Sequence, residues 1–147
     1  MINKYDLNDY FISGIKHNKN LKIGVEHEKF VLDKDSLLPR TYDENNGIRE
    51  ILEKLSNAGW TSVYDDNQKT IIALSRDRES ITLEPGGQME LSGAPLDNIH
   101  ETCEETTNHL KELKKLGEEF NFILLGMGVE PNLMLDDFPW MPNSVTK

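Results

Sequence analysis

Two short stretches place four glutamates in strand-like sequence, and that pairing limits what this chain can fold into. The run Ile81-Thr82-Leu83-Glu84-Pro85-Gly86-Gly87-Gln88-Met89-Glu90-Leu91-Ser92-Gly93 carries Glu84, Gln88 and Glu90 at even positions. Successive strand side chains alternate faces, so these three groups are expected to line one wall. A second run, Leu21 to Leu32, is rich in β-branched and aromatic residues and carries Glu26 and Glu28 two positions apart. Ile23, Val25 and Val31 fall on its other face, with His27 and Lys29 between them.

If both runs join one sheet, Glu26, Glu28, Glu84 and Glu90 converge. Like charges so close repel unless a cation neutralises them or some hold a proton. Ligands that are all oxygen favour a hard ion, magnesium or manganese in its place. Magnesium keeps several waters and commonly bridges carboxylates to substrate phosphates. The residues therefore read as a nucleotide-phosphate site without a P-loop.

The stretches Gly24-Val25-Glu26-His27-Glu28-Lys29-Phe30 and Leu83 to Leu96 resemble glutamate–cysteine ligase of the plant and proteobacterial type. The resemblance continues in one register through His100, Thr102-Cys103, His109-Leu110, Leu125 to Gly128, Pro131 and Met141-Pro142. It implies a glutamine-synthetase-like architecture and ATP-dependent joining of the glutamate side-chain carboxylate to the amino group of cysteine, the first step of glutathione biosynthesis. ATP and Mg2+ are the cofactors implied, and glutamate, cysteine and ATP the small-molecule partners. Glu26, Glu28, Glu84 and Glu90 become the metal and catalytic positions. Gln88, Gly86 and Gly87 become the cofactor-binding ones. Family members are much longer, so residues 1–147 are expected to be the N-terminal part of one catalytic domain, with little ligase activity alone. Three other readings stand beside this one. They are a related carboxylate–amine ligase using another amine, a truncated non-catalytic module that binds a cation or a partner, and an inert acidic domain.

Composition narrows the field further. A net charge of −10 opposes nucleic-acid backbones and anionic lipid. No apolar run approaches the ~20 residues that cross a bilayer. Cys103 is the only cysteine, so no disulfide forms within the chain. With an N-terminus lacking signal or transit character, a cytoplasmic location is expected.

Apolar spacing predicts a helix over about Asp6–Lys16, through Leu7, Tyr10, Phe11 and Ile15. A polar turn over Asn18–Asn20 and a loop at Asp33–Ser36 with Pro39 flank the first strand. Asn46 is expected to cap a helix to Asn57 with Ile48, Ile51, Leu52 and Leu55 inward and Gly59 just beyond its end. Strands follow at Trp60–Tyr64, Thr70–Leu74 and Ser80–Glu84, the signature of an antiparallel meander. A long helix from Leu96 to Glu119 turns Ile99, Cys103, Thr106, Leu110, Leu113, Leu116 and Phe120 inward, with Asn98 and Glu101 at its start. A strand at Phe122–Leu125 closes the list, and the class is α+β, an antiparallel sheet with flanking helices.

Some residues carry plainer expectations. His27 and Lys29 face away from the glutamates, Lys29 in an ion pair, and Cys103 is a buried, inert thiol. Gly86-Gly87 forms a bulge or lets a ligand approach the backbone. Gln88 contacts substrate or orients a neighbouring carboxylate. Arg76 and Arg78 mark a hairpin tip, Gly126-Met127-Gly128 ends a strand, and Asp136-Asp137 is a solvated loop.

Overall fold

A computed structural model describes residues 3–15 and 21–142, the side chain of Leu135 excepted. The expected turn at Asn18–Asn20 and the last residue of the expected first helix lie outside them. The described elements are α1 (Lys4–Ser13), β1 (Glu26–Asp33), α2 (Ile48–Asn57), β2 (Thr61–Tyr64), β3 (Ile71–Arg76), β4 (Glu79–Glu84), β5 (Gln88–Ser92), α3 (Ile99–Phe120) and β6 (Phe122–Leu125). The strands form one antiparallel sheet in the order β2-β3-β4-β5-β1-β6. The α+β expectation and the meander from β2 to β5 both hold.

One face of the sheet is apolar because the odd positions of β4 and β5 and the inward positions of β1 and β3 meet across the ladders. Leu74 pairs with Ile81, Ile81 with Leu91, and Leu83 with Met89. Val31 joins them from β1, and α2 and α3 cover that face. Ile48, Ile51, Leu52 and Leu55 of α2 are fully buried. The α2 stripe was fully legible, since four apolar residues spaced three or four apart leave one face nothing else to do. Its cap was not. Gly47 is the N-cap, with no side-chain bond, and Asn46 sits just outside at a positive φ of 57°.

The long helix α3 begins at Ile99, three residues after the expected Leu96, and Asn98 caps it as expected, its Oδ1 accepting the His100 and Glu101 amides. Its first half is rotated from the expected face. Thr102 and His109 are buried, whereas Ile99 and Cys103 are exposed. Polar groups face inward there because His27 on β1 offers a partner, its Nε2 lying 3.2 Å from Thr106 Oγ1. The thiol of Cys103 is therefore not the buried group expected. Arg40 secures the far end of α3: its guanidinium donates to the carbonyls of Phe120 and Asn121 and pairs with Asp33 at 2.8 Å. A cation there satisfies helix carbonyls left without amide partners. Helix α1 is capped by Asn3 but buries none of its residues.

Candidate active site

The opposite face of the sheet is polar, and its register forms a grid. Across β4, β5 and β1, the first row reads Ser80, Ser92, Glu26, and the second reads Thr82, Glu90, Glu28. The third row is Glu84, Gln88, Phe30. All four candidate glutamates thus share one face, as expected.

The route differs from the one expected for residues 81–93. They are not one interrupted strand but a hairpin, β4 and β5, turned by Pro85-Gly86-Gly87. The parity survives because Glu84 pairs directly with Gln88, and paired residues in an antiparallel ladder point to the same side.

Glu90 occupies the centre. Glu28 lies opposite it, at about 5 Å between β-carbons, and Glu26 and Glu84 lie on its diagonals at about 7–8 Å. Glu26 and Glu84 stand at opposite corners, roughly 15 Å apart by strand spacing and rise. Among the described residues, no group of three or more histidine, cysteine or acidic side chains is gathered tightly enough to hold one ion as the side chains stand. The sheet aligns the carboxylates without closing them on a point.

The hydroxyls of Ser92 and Thr82 donate to Glu90 Oε1 and Oε2 at 3.1 and 3.5 Å. Glu84 has its pKa raised, first by burial, then by the charge of Glu90, a hydrogen bond with it, and the charge of Glu28. Proton and cation are alternative ways to relieve such a cluster. An all-carboxylate and hydroxyl lining fits a hard divalent ion rather than a soft one.

The two glycines of the turn have positive φ, 82° at Gly86 and 78° at Gly87. Both are buried against the chain itself. A β-carbon on Gly86 would lie 2.6 Å from the Phe138 ring, and one on Gly87 would lie 2.9 Å from the Arg40 carbonyl oxygen. Gly86 N–H also donates to the Pro139 carbonyl. The close backbone approach that glycine permits is made here by residues 138–141 and 40.

Beside the grid lies a cavity of about 780 Å³ whose wall includes Phe30, Gly86, Gln88, Glu130, Phe138 and Trp140. Sequence reasoning missed Glu130 and Trp140. Neither lies on a periodic element, and only the folding of residues 126–142 back over Phe30 brings them to Gln88.

On the helix side, His27 and Lys29 do face away from the glutamates, but no ion pair to Lys29 is found among the described residues. Its amine sits in a half-buried position near His27 and His109, where burial lowers its pKa. Arg76 pairs with Glu79 and Glu112 and stacks 4.0 Å from the Trp60 ring, while Arg78 is exposed. The hairpin-tip reading holds. Asp136 and Asp137 lie exposed in a short 3-10 turn.

The chain is similar to known proteins along most of its length. Residues 22–145 match the model of glutamate-cysteine ligase family 2. Over 96% of the chain it is 44% identical to glutamate–cysteine ligase B, chloroplastic, of Oryza sativa subsp. japonica, and covers 28% of that protein. It is 41% identical to the chloroplastic enzymes of Brassica juncea and Arabidopsis thaliana, over 96% of the chain and 27% and 26% of theirs. The chain thus spans about a quarter of the length of the curated relatives it matches. The expected cytoplasmic location does not stand, because these relatives are chloroplastic by name. A single cysteine fits any reducing compartment, so it could not separate the two. Among the described residues, no helix is long and apolar enough to cross a membrane. The family match over residues 22–145, a span that includes the acidic grid, places this chain in glutamate-cysteine ligase family 2.

Proposed function

We propose that these residues form the N-terminal part of the catalytic domain of an ATP-dependent ligase that joins the γ-carboxylate of glutamate to the amine of cysteine. The observation that carries this reading is the row Thr82–Glu90–Glu28, flanked by Glu26 and Glu84, on an open sheet face within the family match. A glutamine-synthetase-like sheet completed by further chain fits the same reading.

A carboxylate resists an amine because its leaving group is poor. Transfer of the γ-phosphoryl group of ATP to the glutamate γ-carboxylate, with release of ADP, gives an acyl phosphate. The cysteine amine then attacks the carbonyl carbon, phosphate leaves, and the amine loses its proton. Such transfer depends on positioning and charge neutralisation more than on covalent help. Glu28, Glu84 and Glu90, with Glu26 at the rim, would hold magnesium. When bound, such an ion would supply charge neutralisation for the phosphate oxygens. The Ser92 and Thr82 hydroxyls orient the Glu90 oxygens for that task. Glu84 keeps its proton to higher pH than an ordinary carboxylate, so proton and cation compete for this position as pH falls.

The test is a product assay on a full-length protein bearing this segment, with ATP, magnesium, glutamate and a panel of amines. γ-Glutamylcysteine and ADP are the expected products with cysteine. Preference for another amine would assign the related carboxylate–amine ligase instead. Absence of ADP release with every amine would contradict a ligase.

A further inference from the structure

We propose that the cavity between the Pro85–Gln88 turn and residues 128–140 is a binding pocket for the ammonium group of a small organic amine, with Glu130 as its counter-ion. Glu130 is 1% exposed. Its Oε2 accepts the Asn132 amide at 2.8 Å, while the buried Oε1 has no partner. Gln88, on the same wall, also has a buried side-chain oxygen without a partner. Buried polar atoms are nearly always paired, so two orphaned groups on one cavity wall point to a missing ligand.

Both orphans accept hydrogen bonds, so the ligand must donate. The wall holds two carboxylates, Glu130 and Asp136, and no lysine or arginine among the described residues. An anion would meet repulsion there, and a neutral apolar group would leave both oxygens unsatisfied. A primary ammonium satisfies them. The rings of Phe30 and Phe138, with centroids 6.4 Å apart, line the same cavity and would pack against the apolar part of such a ligand. Trp140, 85% exposed, stands at the mouth. With no cation on the wall, a carboxylate on the same ligand would have to point outward. These features hold whatever reaction the acidic grid supports, so the inference is independent of the ligase assignment.

The experiment titrates the 147-residue chain with n-butylammonium chloride and, separately, with butan-1-ol, at constant ionic strength. Trp140 fluorescence and the amide NMR signals of Gly128, Val129 and Trp140 report binding. Trp140→Phe identifies which tryptophan responds. Saturable shifts are expected with the amine and much weaker ones with the alcohol. Glu130→Gln should weaken amine binding about tenfold or more, the effect of losing a charge-assisted bond. Gln88→Leu should weaken it by less. Should Glu130→Gln fail to fold, Gln88→Leu and the amine-to-alcohol ratio decide the matter. Equal response to amine and alcohol, no response to the amine, or unchanged affinity in folded variants would overturn the proposal.

Discussion

Glu90 stands directly opposite Glu28 across the β1–β5 ladder, and it is the one carboxylate that neighbours all three others of the grid. Two carboxylates in such a pair repel when the face is empty and attract a shared cation when it is not.

Glu90→Gln should therefore act in opposite directions on stability and binding. Like charges directly opposite on a sheet destabilise it by roughly 0.2–1 kcal/mol, so the variant should gain about that much without metal. Magnesium should stabilise the native protein and leave the variant unchanged. Urea unfolding with and without the ion measures both effects.

Glu84 gives a pH signature. Its folded pKa lies above the ordinary 4.5, so the folded state holds the proton longer than the unfolded chain. Its contribution to metal-free stability is full below 4.5 and is lost as pH rises through the raised folded value. Glu84→Gln should flatten that part of the curve. Unfolding of both proteins between pH 4.5 and 7 checks the difference.

His109 has the opposite sign. It is buried beneath β1, its Nδ1 unpartnered, and its pKa falls from 6.5 to about 4 through burial and the charges of Lys29, His27 and Arg76. Its stabilising effect is complete above 6.5 and is lost as pH falls toward 4. His109→Leu should remove about 2 kcal/mol of the stability difference between pH 7 and pH 5, read from urea unfolding.

Gly87→Ala should cost about 1–3 kcal/mol, because alanine resists a φ of 78° and the Arg40 carbonyl stands in the way. Gly126→Ala, with open space around it and no positive φ, should stay within about 0.5 kcal/mol of the parent. Thermal unfolding of the pair makes the comparison.

The acidic face was legible because strand parity is rigid. Glu26 with Glu28, and Gln88 with Glu90, could only share faces, and the Glu84–Gln88 pairing across the hairpin brought Glu84 to the same side although the turn was not foreseen. The α2 stripe was legible for the matching reason at helical period. What the sequence hid depends on partners distant along the chain. Thr102 and His109 face inward because β1 carries His27 and Lys29 there, which helix periodicity cannot register. Glu130 lines a cavity only because Phe138 and Pro139 dock on Gly86. Asn46 lost the cap position by a single residue, to a glycine walled in by the Thr41, Tyr42 and Glu44 carbonyls.

The most direct test of the shared-ion account is manganese titration of the isotopically labelled chain, read as paramagnetic broadening of amide signals. The account predicts broadening centred on residues 28, 84 and 90, weaker at 26, and lost in Glu90→Gln. Broadening centred on Asp136 and Asp137, or undiminished in Glu90→Gln, would contradict it.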